Sequence, residues 1–314
     1  MSTWLCWPSV YGEGSGVGVK TCVIFNPAAR GEKAKRFRRH LDEIGSQTTL
    51  KLTTAPGDAQ RLSAEAVTEG FDTVVAAGGD GTVNEVLNGL GDAPDGFAQA
   101  RLAVLPLGTV NVFARELGLP LKVMAAWDSI RRGGETQIDL PQVEFNANGA
   151  RQKRYFAQLA GAGLDARAIE LVEWDLKKRI GPLAYVIAGL HALRGKPAKI
   201  QVEAGAPAIT GGLVLIGNGR LYGGPFCLFP GADLRDGLLD VCVFERVNWW
   251  TLARCGPALL LRGRLPRSAV RVLQAGSIVL SSADRTPMEV DGELVGHLPA
   301  TFSVAKSRLR VIVP

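Results

Sequence analysis

Short apolar runs alternate with stretches of helical spacing over roughly the first 130 residues, an order that predicts a parallel sheet covered by helices. Val19 to Phe25 reads as a strand, Glu32 to Ile44 as a basic amphipathic helix, Thr48 to Leu52 as a strand and Ala59 to Thr68 as a helix. Phe71 to Ala77 is a third strand, Leu102 to Leu105 a fourth, and Asn111 to Leu117 a further helix. After Gly133-Gly134 the texture changes to short alternating runs: Gln142 to Phe145, Tyr155 to Leu159, Lys199 to Val202, Leu213 to Ile216, Leu239 to Phe244, Ser277 to Leu280, Met288 to Val290 and Leu309 to Val313. Turn residues separate them, which predicts an antiparallel β-sandwich-like domain. Two helices interrupt it, near Leu183 to Leu193 and Trp249 to Leu261. The expected division is an α/β domain over residues 19–134 and a β domain over 135–314. The last run either closes the β domain or returns to the first.

The third strand runs straight into Gly78-Gly79-Asp80-Gly81-Thr82, and Val83, Val86, Leu87 and Leu90 follow with the spacing of a helix face. Strand, glycine turn, helix is an arrangement that lets a bulky anion approach the backbone, because glycine has no Cβ. The unpaired N–H groups of a helix start favour phosphate. Asp80 would repel bare phosphate unless a cation lay between, so the loop points to a magnesium nucleotide. An ordinary tight turn is the alternative for this motif taken alone. The loop matches neither Gly-x-Gly-x-x-Gly nor the Walker pattern, which disfavours a dinucleotide dehydrogenase or a P-loop NTPase.

Three other turns follow strands in the same way. Asn26-Pro27-Ala28-Ala29-Arg30-Gly31 comes after the first. Thr53 ends the second, ahead of Pro56-Gly57-Asp58-Ala59, where Asp58 is a candidate N-cap. Pro106-Leu107-Gly108-Thr109-Val110-Asn111 comes after the fourth, with Thr109 or Asn111 able to cap the next helix. Strand C-termini are where ligands bind in open α/β sheets, so the four turns form one rim.

Composition sets limits on this picture. Hydrophobic content is 46% and charged content 21%, as in a folded globular chain. There is no uncharged apolar run of ~18 residues, so no spanning helix is expected. Met1 to Gly18 lacks the charge and apolar core of a signal peptide and reads as a loose arm. The five scattered cysteines read as thiols in a reducing compartment, with Cys22 and Cys242 buried in strands. The net charge of +6 draws on Lys33, Lys35, Arg36, Arg38 and Arg39, and on Lys177, Lys178 and Arg179. Such clusters are either solvated helix faces or contacts to an anionic membrane surface. No nucleic-acid motif accompanies them, so nucleic acid is not an expected partner.

In order and spacing, these motifs resemble the diacylglycerol kinase/sphingosine kinase lipid-kinase family, most closely its soluble bacterial members. The match continues through Asn218-Gly219, Tyr222-Gly223-Gly224, Pro230 to Asp240 and Asp291-Gly292-Glu293. The resemblance implies an α/β nucleotide domain beside a β-sandwich, with the active site in the cleft between them. It implies an enzyme that moves the γ-phosphoryl group of ATP to a hydroxyl of diacylglycerol, a sphingoid base or a related lipid.

By the same resemblance Asn26, Pro27, Gly31, Thr53, Gly78, Gly79, Asp80, Gly81, Thr82, Asn84, Glu85 and Thr109 contact ATP. Asp233, Asp236 and the Leu238 carbonyl hold a structural Mg²⁺, and Glu293 is the catalytic base, with Asp80 beside the catalytic Mg²⁺. Read without the family, Asp233 to Gly237 is also an acidic surface turn, and Asp291-Gly292 is a type I′ hairpin turn. The rival functions are phosphorylation of a soluble acceptor, as in NAD kinases, and a nucleotide- or lipid-binding regulator without turnover. The expected setting is cytoplasmic, with peripheral contact to an anionic membrane carrying the lipid substrate.

Overall fold

The computed structural model describes residues 20–27, 37, 39–171, 198–205, 207–262, 265–266 and 268–314. The chain forms two compact units. The first takes the residues up to Thr109, together with Leu117–Ile138 and Leu309–Pro314; the second takes Val110–Glu116 and Asp139–Arg308.

The first unit is a six-stranded sheet with helices. Its elements are β1 (Thr21–Phe25), α1 (Leu41–Gly45), β2 (Thr49–Leu52), α2 (Asp58–Thr68), β3 (Thr73–Gly78), α3 (Asp80–Asp92), α4 (Gly96–Gln99) and β4 (Arg101–Pro106). After α5 (Val112–Glu116), which belongs to the second unit, come α6 (Val123–Arg132) and β5 (Glu135–Ile138). The sheet order is β2-β1-β3-β4, then the C-terminal strand β20 (Leu309–Ile312), then β5. β1 to β4 are mutually parallel and β20 is parallel to β4, whereas β5 runs antiparallel to β20. Every residue of β3 is buried, as a central strand covered on both faces requires. α6 presents Val123, Ala126, Trp127 and Ile130 to a core with Val23, Phe25, Val75 and Leu105. Its i, i+3, i+4, i+7 spacing is that of a one-sided helix.

The second unit is a sandwich of two antiparallel six-stranded sheets. Its elements are β6 (Pro141–Ala147), β7 (Ala150–Tyr155), β8 (Leu159–Gly163), α7 (Leu164–Leu171), β9 (Ile200–Glu203), β10 (Ile209–Gly211), β11 (Leu213–Gly217), and the two-residue strands β12 (Leu221–Tyr222) and β13 (Phe226–Cys227). Then follow β14 (Leu239–Phe244), α8 (Trp249–Arg262), β15 (Arg271–Ala275), β16 (Ser277–Ser282), β17 (Pro287–Val290), β18 (Glu293–His297) and β19 (Ala300–Val304). One sheet has the order β10-β9-β16-β19-β6-β7, the other β15-β14-β11-β8-β17-β18. Val143, Val202, Leu280 and Phe302 from the first pack with Ala160, Ile216, Val241 and Val290 from the second. Alternate positions of each strand supply this core, which is why the sequence shows period-two runs here.

Some expectations need correction. Tyr155 to Leu159 is not one strand: β7 ends at Tyr155 and β8 begins at Leu159. The amides of Ala157, Gln158 and Leu159 donate to the Asp291 carboxylate, so this turn is held by a side chain rather than a ladder. Of the helix expected over Glu32 to Ile44, Leu41–Gly45 and Phe37 are seen as helical; Gly31, Lys33, Lys35, Arg36 and Arg38 lie outside the described residues. Leu183 to Leu193, Lys177, Lys178, Arg179 and the N-terminal arm also lie outside them. Cys22 and Cys242 are buried free thiols, pushed by desolvation up to about 11 and about 12 respectively. No described helix is long and apolar enough to cross a membrane.

Candidate active site

Parallel pairing brings the C-terminal ends of β1 to β4 to one edge of the first sheet, and backbone bonds pin the turns there. The Asn26 amide donates to the Ala77 carbonyl at 3.2 Å, and the Thr53 amide to that of Phe25 at 3.0 Å. The amides of Leu107 and Gly108 both donate to the Gly78 carbonyl, at 2.9 and 3.2 Å. Asn26, Thr53, Gly78 and Gly108 therefore share one rim. Thr53 and Thr82 are buried, Pro27 half-buried and Thr109 exposed.

The glycine loop is tight at one position and open at the next. A Cβ on Gly78 would lie 2.3 Å from Thr82 Oγ1, so Thr82 folds over Gly78 and no side chain fits. A Cβ on Gly79 would lie 3.3 Å from the Gly108 Cα. Gly79 is the N-cap of α3 in an extended conformation (φ −93°, ψ −171°) and brings no side-chain oxygen to the helix start. Asn84 and Asn88 are buried one turn apart, and Asn88 Nδ2 donates to the Asn84 carbonyl at 2.9 Å. Glu85 Oε2 accepts the Ala59 amide at 3.0 Å and so caps α2 from the neighbouring helix. Asp58 is not that cap. It is the first residue of α2, preceded by Gly57 in the left-handed region at φ 86°. Its Oδ2 accepts the Thr54 hydroxyl and the Thr54 and Ala55 amides, at 2.6, 2.8 and 3.0 Å. These bonds, the Thr54 hydroxyl foremost, hold its carboxyl well below the usual carboxylate range.

Within the second unit, Glu293 opens β18 at the end of the β17–β18 hairpin and is exposed. Asp291 and Gly292 have φ of 48° and 88°, the pair of positive values that a type I′ turn needs. Asp291 accepts three amides, from Ala157, Gln158 and Leu159, at 2.7, 2.9 and 3.0 Å. The turn that presents Glu293 is thereby tied to the start of β8. Glu289, on β17, is almost wholly buried, and its Oε2 accepts the Gly292 amide at 2.8 Å. Its Oε1 is buried, with no hydrogen-bond donor among the described residues. Glu289 Oε1 and Asp165 Oδ2 both border the space where Gly161 lacks a side chain, 2.8 and 3.0 Å from an ideal Cβ there. Tyr222 donates its hydroxyl to the other oxygen of Asp165 at 2.9 Å. Burial, reinforced by the Asp165 charge, raises the Glu289 carboxyl well above the carboxylate range, and burial raises Asp165. A neighbouring like charge disfavours ionisation of either carboxyl.

The acidic turn is also built around a residue remote in sequence. Asp139 Oδ2 accepts the Gly237 amide at 2.7 Å, and the Asp139 amide donates to the Leu234 carbonyl at 2.6 Å. Asp233 Oδ1 accepts the Arg235 amide at 3.1 Å, and Asp236 Oδ1 that of Leu238 at 2.9 Å. Asp139 Oδ1 is buried; Arg308 Nη1 lies 2.9 Å away but outside hydrogen-bond alignment. Desolvation raises the Asp139 carboxyl, against the lowering pull of the Gly237 amide and the Arg308 charge. Among the described residues no three His, Cys, Asp or Glu side chains close a metal cage. What the turn offers is carboxylate and carbonyl oxygens, the donor type a hard cation takes, with Arg308 and Arg235 paired to two of the carboxylates.

Asp139, Asp165, Glu289 and Glu116 were missed in the sequence, although Asp139 and Glu289 each stand as a lone acid between apolar neighbours. Glu116 is buried in the second unit. It accepts the Leu221 amide at 2.8 Å, Gln158 Nε2 at 3.0 Å and Arg220 Nε at 3.3 Å.

Comparison with known proteins bears on the whole chain. The diacylglycerol kinase catalytic domain model matches residues 20–143, and the YegS C-terminal NAD kinase beta sandwich-like domain model matches 158–313. A diacylglycerol kinase of Staphylococcus saprophyticus is 33% identical over 302 residues, covering 93% of this chain and 94% of that protein. The chain belongs to the diacylglycerol kinase family. A Bacillus subtilis diacylglycerol kinase is 30% identical, covering 93% and 95% of the two chains. The solved structure of a diacylglycerol kinase from Bacillus anthracis aligns with TM-score 0.68 at 20% identity, over 94% of this chain and 97% of that one, and supports the fold. Members of the family are kinases that transfer phosphate to an alcohol, and both halves of the expected two-part architecture, parallel α/β and antiparallel β, are present.

Proposed function

We propose that this chain is an ATP-dependent lipid kinase that moves the γ-phosphoryl group to a hydroxyl of diacylglycerol, a sphingoid base or a related lipid. The observation that carries the reading is the glycine loop. A buried strand delivers Gly79 to a helix start that has no side-chain cap, and among the described residues a Cβ there would meet only the Cα of another glycine across the rim. Backbone amides there can reach phosphate oxygens without steric hindrance.

Phosphoryl transfer depends on alignment and charge neutralisation more than on covalent chemistry. In this reading the amides from Gly79 to Thr82 hold the phosphates. Asn26, Pro27, Gly31, Thr53, Asn84, Glu85 and Thr109 border the nucleotide, and Asp80 would help hold the magnesium that accompanies ATP. Bound Mg²⁺ supplies neutralisation of phosphate charge. As the acceptor oxygen attacks the γ-phosphorus, Glu293 takes its proton; the bond from that phosphorus to the β–γ bridging oxygen breaks, and ADP leaves. A second, structural Mg²⁺ would be held by Asp233, Asp236 and the Leu238 carbonyl, oxygen donors of the type a hard cation takes. The lipid is met at an anionic membrane surface.

The test is transfer from radiolabelled ATP to a panel of lipids and to NAD, with wild type and Glu293→Gln. Labelled lipid is expected, with kcat lowered ~10²–10⁴-fold in the variant and ATP affinity near normal. Label in NAD alone would assign a soluble acceptor. ATP binding without label in any acceptor would assign a regulator. A variant within a few-fold of wild type would remove Glu293 from the mechanism.

A further inference from the structure

From Arg246 to Arg271 the chain carries six arginines and neither aspartate nor glutamate. The excess over these 26 positions equals the formal net charge of the whole chain, +6. The flanking acid, Glu245, is already paired, with Arg271 Nε 2.9 Å from its carboxylate. Arg246 has no described acidic partner, and Arg254 Nη2 donates to the neutral Ser268 hydroxyl at 2.7 Å.

α8 opens inside this segment on two tryptophans. Trp249 is 53% exposed and Trp250 84%, although tryptophan is among the most buried residue types on average. The turn that carries them is fixed. Asn248 Oδ1 accepts the Thr251 amide at 3.0 Å, and the Thr251 hydroxyl donates to the Arg246 carbonyl at 2.8 Å. Further along, Cys255 is buried in a cluster with Leu215, Phe229 and Phe244. The helix is thus anchored by its middle while the two tryptophans that open it stand in solvent. Val272, beside Arg271 on the edge strand β15, is 56% exposed.

We infer that the first turn of α8 and its arginines dock this protein onto the anionic surface of a lipid bilayer. Indole rings have an apolar body and one N–H, so they are most stable at headgroup depth. Arg246 and Arg254, three to five residues from them in sequence, gain from anionic lipid, and there is no acid in the segment to oppose it. A pair of solvent-exposed tryptophans within an acid-free basic segment fits that boundary in both polarity and charge. The basic cluster expected to meet the membrane, Arg36 to Arg39, is a different part of the chain. The inference does not rest on the kinase reading, because a bilayer without any acceptor lipid tests it.

The experiment is co-sedimentation of the full chain with vesicles of phosphatidylcholine, with and without phosphatidylglycerol, across a salt series. Binding is expected to need the anionic lipid and to weaken with salt. Trp249→Ala/Trp250→Ala should lower partitioning by about ten-fold or more. Arg246→Gln and Arg254→Gln should each lower it roughly five-fold. Turnover of a short-chain, monomeric acceptor should stay at the wild-type level in all of them. Unchanged vesicle binding by the double tryptophan variant would overturn the inference. So would sedimentation velocity showing that the pair instead holds two copies of the chain together, or electrophoretic shifts showing tryptophan-dependent binding of nucleic acid with no binding to vesicles.

Discussion

Gly78 and Gly79 are neighbours with different duties. Gly78 is needed by the fold: a methyl there would meet the Thr82 side chain at 2.3 and 2.5 Å, atoms locked in the first turn of α3. Gly78→Ala should cost about 1–3 kcal/mol, the usual range for overpacking, read from the denaturant midpoint. Gly79 has an extended φ that any residue adopts, and a methyl would press only mildly on Gly108. Gly79→Ala should keep stability close to wild type and lower ATP affinity at least about ten-fold, because the methyl occupies the phosphate approach. Calorimetry with unchanged ATP binding in a folded Gly79→Ala chain would remove the loop from the nucleotide site. Glu289 makes a separate case at the same scale. Burial and the Asp165 charge hold its carboxyl well above the carboxylate range in the folded chain, whereas in the unfolded chain it ionises near its ordinary ~4.3. Above that pH the unfolded state binds fewer protons, so stability falls as pH rises, by about 1.4 kcal/mol per unit for one proton, until the raised folded value is reached. Glutamine is neutral in both states; its carbonyl can keep the Gly292 bond and its amide can face Asp165. Glu289→Gln should therefore melt higher than wild type at pH 8, with the gap closing toward pH 4. A gap that is constant with pH would show that Glu289 is ionised in the folded state.

At the scale of elements, one carboxylate closes the hairpin against its neighbouring strand. Three amides converge on Asp291, and bonds to a charged acceptor contribute about 1.5–3 kcal/mol each. Asp291→Ala should cost on the order of 3–5 kcal/mol, less than the sum because water reaches the freed amides. It should also lower kcat, since Glu293 is two residues away; normal stability with normal kcat would deny the bond its role. This interaction explains an error of reading. Tyr155 to Leu159 has the apolar content of a strand, and nothing local shows that its amides are claimed by a residue 132 to 134 positions away. Elements whose cause is local were legible: β3, α3 and β14 follow from β-branched runs, glycines and helical spacing. α6 had the signal in Val123, Ala126, Trp127 and Ile130 and went unread. β7 and β15 expose most of their side chains and so carry little apolar alternation to detect. The same rule holds at the site. The glycine loop could be read in one stretch of sequence, whereas the Asp139 bond to Gly237 spans 98 residues and the Asp165–Glu289 pairing spans more.

For the whole molecule, chain order and unit order differ. The backbone passes between the units at Thr109/Val110, Glu116/Leu117, Ile138/Asp139 and Arg308/Leu309. Its last residues form β20, inserted between β4 and β5 in the sheet that carries the glycine loop. Leu309, Val311, Ile312 and Val313 are all buried there. Burying an aliphatic side chain contributes about 1.5–3 kcal/mol, so these four contribute roughly 6–12 kcal/mol, as much as the entire net stability of a typical domain. Arg310 adds a partly exposed pair, with Nε 2.8 Å from Glu135 on β5, and an Nη1 bond to the Ala98 carbonyl at 3.1 Å. Removing residues 309–314 should therefore abolish ATP binding, although no nucleotide contact is assigned to them. Without β20, β4 becomes an edge strand beside β3, and the β5 ladder has nothing to pair with. The expected readout is protease cleavage within the first unit and loss of calorimetric ATP binding. A truncated chain that binds ATP with wild-type affinity would show that the four-stranded parallel core stands without its C-terminal strand.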